Sequence, residues 1–258
     1  MNTREDYYKP SAKRYENKVC LVTGGTMGIG LAMAKRFGLE GASLIICSRK
    51  QENVKQAETQ LKQLGIKCDA LVCNVNDKDA RRKLFEHIKG KYGKLDVLVC
   101  NVAVNPFFGL SYEINEKEFD KIFEVNVKNT FFTIKDALTL MKNSKESNIL
   151  IISSYAGYVP MSYIGVYSLS KTVLLSMTKL LASELAKFQI RVNCIAPGII
   201  RSKFSKAIED SEEAKANFMQ RPGEPDEIAG AAAYMCSKEA SFLTGETLCI
   251  SGGNVGRL

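Results

Sequence analysis

The sequence predicts an α/β chain, a doubly wound parallel sheet of about seven strands with helices on both faces. Short apolar runs alternate with segments of helical length along most of the chain, which is the order that joins parallel strands through crossover helices. The first run passes directly into the turn Thr23-Gly-Gly-Thr-Met-Gly-Ile-Gly30 and from there into a helical pattern. Size agrees: 258 residues, 45% of them hydrophobic, bury a substantial core, and α/β chains of this length are often one domain.

Taken in order, residues 1–17 are polar and charged and are expected to form an arm with little regular structure. A short buried strand follows at 18–22, then the glycine turn, then a helix over 31–39. Glycines at 24, 28 and 30 permit tight turning and close backbone approach, and the free N–H groups of the helix start attract a pyrophosphate. Strand, glycine turn and helix start together indicate a Rossmann-type dinucleotide site, with the spacing G-x-x-x-G-x-G in place of the commoner G-x-G-x-x-G. The alternation continues with strands at 43–47, 68–73 and 95–100 and helices at 52–64 and 77–92. A helix over about 115–141 holds Asn126, and it is followed by a strand at 148–152, a helix over about 162–188 and a strand at 190–195. After Ala196-Pro-Gly198 a charged region breaks the rhythm, so residues of about 199–222 are expected to form a substrate-side insertion. A helix at 226–237 and a strand at 246–250 close the sheet, making 1–258 a single dinucleotide-binding catalytic domain.

The ligand crevice of such a sheet lies at the carboxyl ends of its strands. Gly24, Ser48, Asn74, Asn101, Ser154 and Pro197 all follow strands there. The chemistry is expected from Tyr167-Ser-Leu-Ser-Lys171, with Ser154 thirteen residues upstream of Tyr167 at the end of an apolar run. Positions four apart on a helix share a face, so the Tyr167 hydroxyl and the Lys171 ammonium converge on one pocket. A cation about 4 Å from a phenol at an effective dielectric of ~20 favours the phenolate by roughly 4 kcal/mol, enough to bring Tyr167 toward neutral titration. Ser154 can donate a hydrogen bond to a substrate oxygen. A second Tyr-x-x-x-Lys, Tyr234 to Lys238, follows no strand-like run and has Arg221 where the first copy has a serine, so it reads as an ordinary helix pair.

Composition narrows the function classes. The net charge of +8 comes from basic residues interleaved with acids, as in Lys78-Asp-Ala-Arg-Arg-Lys83, which suits a solvated surface better than a nucleic-acid or membrane face. No apolar run approaches the ~20 residues of a membrane span and the first residues lack a signal-peptide core, so a soluble intracellular protein is expected. Of eight cysteines six lie in or at the ends of strand-like runs and none forms Cys-x-x-Cys, which suits buried, reduced thiols. His87 is the only histidine, and no metal site is expected.

Cofactor choice is read after the second strand. An NAD-preferring site places a carboxylate there for the ribose hydroxyls, whereas Ile45-Ile-Cys-Ser-Arg-Lys50 has no acid. Arg49 offers paired donors to a 2′-phosphate, Ser48 a hydroxyl and Lys50 a further charge, so NADP(H) is expected.

The glycine turn, Ser154, Tyr167-Ser-Leu-Ser-Lys171 and Ile190-Arg-Val-Asn-Cys-Ile-Ala-Pro-Gly198 occur in the order and spacing of the short-chain dehydrogenase/reductases, which the chain resembles over roughly residues 18–253. That resemblance implies an NAD(P)-dependent oxidoreductase in which Tyr167 is the general acid/base, Lys171 tunes it and binds the nicotinamide ribose, and Ser154 steadies the substrate carbonyl. Asn126, in Glu124-Val-Asn-Val-Lys128, matches the family's fourth catalytic residue. It also implies that the dinucleotide lies against Gly24, Thr26, Met27, Gly28, Ile29 and Gly30 of the turn. Ser48, Arg49 and Lys50 follow, then Asn74, Val75, Asn101 and Ala103, then Tyr167 and Lys171, and finally Pro197, Gly198, Ile200 and Ser202. The chain departs from the family pattern at Cys100-Asn-Val-Ala103, where Asn-Asn-Ala-Gly is usual, and at Asn74, where an aspartate is usual.

Asn101-Val-Ala-Val-Asn-Pro-Phe-Phe-Gly109 and Cys47-Ser-Arg-Lys-Gln-Glu-Asn-Val54 resemble the family's peroxisomal NADPH-dependent carbonyl and retinal reductases. The expectation is therefore a carbonyl reductase for apolar ketones or aldehydes, retinal-like or diketone, with Phe107, Phe108, Tyr155, Val159, Met161 and Phe204 as candidate pocket walls. A 3-oxoacyl-thioester reductase and a non-catalytic NADP-binding scaffold or sensor are the alternatives. The tail Gly256-Arg-Leu258 resembles a peroxisomal import tripeptide with an atypical first residue, giving a peroxisomal or cytoplasmic location. A homo-oligomer, a tetramer by the resemblance, is expected because Val173, Leu174, Leu175, Met177, Leu180 and Leu181 spread apolar residues over more than one helix face.

Overall fold

Parallel strands covered by helices on both sides need apolar residues on both faces, and the strands here are near-continuous Val, Ile, Leu and Cys. A computed structural model describes residues 13–206, 208–209 and 211–254. Its strands are β1 (Val19–Thr23), β2 (Ser43–Ser48), β3 (Cys68–Val72), β4 (Val97–Cys100), β5 (Ser147–Ile152), β6 (Ile190–Pro197) and β7 (Thr247–Ile250). They form one parallel sheet in the order β3-β2-β1-β4-β5-β6-β7. The helices are α1 (Gly28–Leu39), α2 (Gln51–Gln63), α3 (Lys78–Tyr92), α4 (Glu116–Phe123), α5 (Asn129–Lys142), α6 (Gly165–Leu185), α7 (Glu212–Lys215) and α8 (Pro225–Met235).

Successive strand residues point to opposite faces and so divide the core in two. On one face Leu21, Ile45, Leu98, Ile149 and Val192 belong to a cluster with Ile88 of α3, Leu140 of α5 and Leu174 of α6. On the other, Val22, Ile46, Val99, Leu150 and Ile195 join Phe37 of α1, Leu61 of α2 and Ile228 of α8. Each such side chain contributes about 1.5–3 kcal/mol by leaving water. From β1 the chain winds outward through β2 and β3, then crosses back to β4 and winds the other way. The crossovers next to β1 and β4 therefore leave in opposite directions, and a crevice opens at the carboxyl ends of those two strands.

Local chemistry sets the helix ends. Asp77 caps α3 by accepting from the Asp79 and Ala80 amides at 2.8 and 3.0 Å, and Gly93 stops it in a left-handed conformation with φ 68°. Pro225 opens α8 behind a reciprocal Glu224–Glu227 capping box.

Two helix expectations change, and two further segments gain detail. The helix expected over 115–141 is α4 and α5 joined by a π-helical turn, Glu124–Lys128, that contains Asn126. The helix expected from 162 begins at Gly165, because Tyr163 adopts a left-handed backbone with φ 65° that no helix can contain. The end of the N-terminal arm is anchored: Tyr15 is buried, donates to the Ala233 carbonyl at 2.6 Å and packs edge-on against Phe37, while Arg14 forks onto Glu40. The charged insertion holds the short α7 and returns to the sheet end through a parallel bridge from Ile200 to Gly223. The rest of the arm and the tripeptide Gly256-Arg-Leu258 lie outside the described residues. No helix among the described residues is long and apolar enough to cross a membrane.

Candidate active site

The cofactor side of the crevice is built from backbone. Gly24 and Gly28 take φ of +63° and +52°, conformations that L side chains rarely adopt. At Gly30 a Cβ would come within 2.2 Å of the Gly24 carbonyl and 2.6 Å of Asn101 Nδ2, so the turn closes on itself with no room for a side chain. Asn101 ties this turn to β4, donating from Nδ2 to the Gly24 carbonyl at 3.2 Å and from its amide to Thr23 Oγ1 at 3.2 Å. Met27 precedes α1 without a side-chain cap and no acid lies in its first turn, which leaves the helix start open to an anion. Thr26 is buried in the turn and Ile29 half-buried.

The other cofactor candidates surround it. Ser48 ends β2, and Arg49 and Lys50 beyond it are exposed, with no side-chain hydrogen bond or ion pair among the described residues. Asn74 is exposed, but its Oδ1 already accepts from the Asn76 amide at 3.3 Å, so the neutral replacement for the usual aspartate is occupied in its own turn. Val75 is buried, its carbonyl taken by Arg81 at 2.6 Å. Ala103 is half-buried beyond Asn101. Pro197 ends β6, Gly198 donates to the Ile250 carbonyl at 2.9 Å, and Ile200 is buried. Ser202 approaches the glycine turn, lying 3.2 Å from where a Gly28 Cβ would sit. A side-chain-free cradle, an uncapped helix start and a free guanidinium form a donor set that fits a dinucleotide phosphate group.

The reacting groups come from three elements. Ser154 follows β5 in extended backbone and caps a 3-10 turn, Tyr155–Gly157, accepting from the Ala156 amide at 3.1 Å. Tyr167 and Lys171 occupy the first two turns of α6, both buried, and the Tyr167 phenol is hydrogen-bonded to Ser154. The 3-10 turn is pressed against α6: a Cβ at Gly157 would meet the Lys171 carbonyl carbon at 2.9 Å, while Thr172 Oγ1 donates to the Gly157 carbonyl at 2.8 Å. Ser153 Oγ donates to the Lys171 carbonyl at 2.8 Å. These contacts fix Ser154 and Tyr167 relative to each other.

Asn126 has a different position from the other three. Its Oδ1 accepts from the Val104 amide at 2.8 Å, and its Nδ2 donates to the Val104 carbonyl at 3.0 Å and to Ser170 Oγ at 3.0 Å. Ser170 in turn donates to the Tyr167 carbonyl at 2.7 Å. The amide therefore clamps the segment after β4 to the helix bearing Tyr167. Ser170 and Thr172 were not singled out from the sequence, although the spacing of Ser170, three residues after Tyr167, was visible there.

The expected electrostatics are corrected. Burial pushes the Tyr167 phenol up to about 12, and only the Ser154 hydrogen bond works against it. Lys171 is brought down to about 8 by burial. Its Nζ lies 5.5 Å from the Tyr167 ring centre and donates to the Ile152 carbonyl at 2.9 Å. Removal from water outweighs a cation at that range.

Of the expected pocket walls, Phe204 comes nearest the chemistry, its ring centre 6.1 Å from that of Tyr167. Phe108 stacks on Tyr163 at 5.5 Å and 14°, both exposed, and Phe107 covers Gly109. Val159 is exposed, and Tyr155 and Met161 are half-buried.

Comparison with known proteins agrees with this geometry. Residues 24–254 match a family model described as enoyl-(acyl carrier protein) reductase. The chain is 43% identical over 248 residues to dehydrogenase/reductase SDR family member 4 of Bos taurus, covering 94% of this chain and 89% of that protein. It is 40% identical over 255 residues to tropinone reductase-like 3 of Erythroxylum coca, covering 97% and 98%. Among solved structures, a short-chain type dehydrogenase/reductase from Mycobacterium marinum superposes with a TM-score of 0.90 at 27% identity, over 95% of this chain and 98% of the other.

Proposed function

The chain belongs to the short-chain dehydrogenase/reductase family of oxidoreductases, and from that premise we propose that it is an NADPH-dependent carbonyl reductase acting on apolar ketones or aldehydes. The observation that carries this reading is the half-buried Ser154 against the buried Tyr167 and Lys171, with the Phe204 ring beside them. The bound dinucleotide would supply the hydride. Ser154 and Tyr167 hold the substrate oxygen by hydrogen bonds, and the Tyr167 phenol passes its proton to that oxygen as negative charge develops on it. Lys171, charged below about pH 8, stabilises the phenolate left behind. Asn126 acts as a positioning residue, since its side chain is spent on Val104 and Ser170. Phe204 and neighbouring apolar side chains favour a substrate with an apolar body, in keeping with retinal-like or diketone substrates.

Arg49 supports NADPH over NADH, because a charge-assisted hydrogen bond of roughly 1.5–3 kcal/mol to the 2′-phosphate gives about a ten- to hundredfold preference. Arg49→Ala should collapse the ratio of kcat/KM for the two cofactors by that factor. An unchanged ratio would remove Arg49 as the phosphate reader.

The thioester reading needs cations free to grip an acyl carrier, but Arg201 lies 3.2 Å from Glu224 and Arg221 forks onto Glu227 at 2.7 and 2.9 Å. A panel comparing retinal, an aromatic diketone and an acetoacetyl thioester with NADPH tests the assignment. Preference for the thioester would overturn it, and no turnover of any of the three would favour the scaffold. We take residues 1–258 as a single catalytic domain that works as a homo-oligomer, a tetramer, in the peroxisome or cytoplasm.

A further inference from the structure

At the end of the sheet opposite the catalytic crevice, the amino ends of β4, β5 and β6 border a cavity of about 330 Å³. Tyr15, Val97, Ile190 and Cys236 contribute apolar wall. Asn148 at its floor and Ser154 at the catalytic end are six residues apart along β5, about 20 Å at strand rise. Its volume is that of small-molecule sites, so its polar groups indicate what it takes.

Four cations line it, Arg14, Lys18, Arg191 and Lys238, against two carboxylates, Asp96 and Glu146. Three of the four are paired: Arg14 with Glu40 and Glu239, Lys18 with Asp96, and Lys238 with Glu146. Arg191 has no carboxylate within ion-pairing distance among the described residues. It is partly buried and donates to three neutral carbonyls, those of Leu243, Met235 and Ser237, at 2.7, 2.9 and 3.0 Å. A guanidinium has five N–H donors, so two remain. Nearby, Asn148 Oδ1 is buried and has no hydrogen-bond partner, while the Nδ2 of the same amide donates to the Glu146 carbonyl at 3.1 Å. A cation without a counter-ion and an acceptor without a donor are each costly when buried. One ligand satisfies both if the amide of Asn148 turns slightly toward the cavity.

We propose that this cavity is a second binding site, for a small organic anion that carries an apolar body and an N–H or O–H donor beside its charge. The anion meets Arg191, the donor meets Asn148, and the body lies against Tyr15 and Ile190.

N-acetyl-leucine has all three features, and 4-methylpentanoate is the same acid without the acetamido group that carries the N–H. Calorimetric titration of the whole protein, with and without saturating NADPH, should show N-acetyl-leucine binding about tenfold tighter than 4-methylpentanoate, unaffected by NADPH. Asn148→Leu should erase the difference between the two probes, and Arg191→Gln should weaken both about tenfold. Because Arg191 also holds three carbonyls, Ala186→Trp, at an exposed position of the cavity wall, provides a variant that blocks the site without touching those bonds, and it should abolish both titrations. No saturable binding below about 10 mM, binding unchanged in Ala186→Trp, or displacement by NADPH would overturn the site.

Discussion

Burial makes Tyr167 a weaker acid and Lys171 a weaker base, and for a reductase both shifts act on the same proton. With its phenol up at about 12, Tyr167 holds the proton it must give across the working range. With its ammonium down at about 8, Lys171 keeps the charge that stabilises the phenolate product only at lower pH. The sign follows: kcat for carbonyl reduction should be level in the neutral range and fall as pH rises through about 8, while alcohol oxidation, which needs Tyr167 deprotonated, should climb. Rate profiles in both directions check this, and a reduction rate that rises above pH ~8 would be incompatible with it. Tyr167→Phe should lower kcat by more than about tenfold, over ~1.4 kcal/mol, with NADPH binding retained. Tyr234→Phe should leave it unchanged. The residue types of the site were legible in the sequence, because a helix puts positions four apart on one face. Their titration was not, because burial is a property of the packed molecule.

Two short irregular elements place these residues. Both interrupt what the sequence presents as regular structure. The π turn at Glu124–Lys128 carries the same residue pattern as an α-helix, so the stretch reads as continuous. What the turn achieves is visible only in three dimensions, where Asn126 meets Val104 and Ser170. The left-handed backbone of Tyr163 was equally hidden, since glycine or asparagine is the usual sign of that conformation. The regular strands and helices were legible for the opposite reason, that their apolar runs and lengths follow from burial on two faces. At this scale Gly157 is the sensitive position: a methyl there would lie 2.9 Å from the backbone of Lys171. Gly157→Ala should destabilise the fold by about 1–3 kcal/mol, as overpacking does, and lower kcat by displacing Ser154 from Tyr167. A thermal melt with kinetics measures both, and an alanine variant of wild-type stability would mean that the 3-10 turn is not held as described.

For the whole molecule, the question is what covers α6, which presents apolar residues on two sides. Leu174, Met177 and Leu181 are buried against the sheet, whereas Leu169, Val173 and Leu180 are 51%, 37% and 53% exposed. The exposed three are spaced by four and seven residues, which aligns them as one stripe along the helix. Phe131 of the neighbouring α5 is 38% exposed as well. An apolar stripe along a helix of 21 residues suits a second copy better than water, and a stable interface needs about 1,000 Å² or more. Because the same helix carries Tyr167 and Lys171 in its first turns, association through this stripe would brace the catalytic group. Dissociation and loss of activity should then be coupled. Leu180→Glu places a charge in the stripe without entering the core or the site, and it should lower both the sedimenting mass and kcat. The wild-type Tm should rise with protein concentration and that of the variant should not. A wild-type particle of 28.6 kDa at micromolar concentration would eliminate the assembly, and a dissociated variant with full kcat would eliminate the bracing.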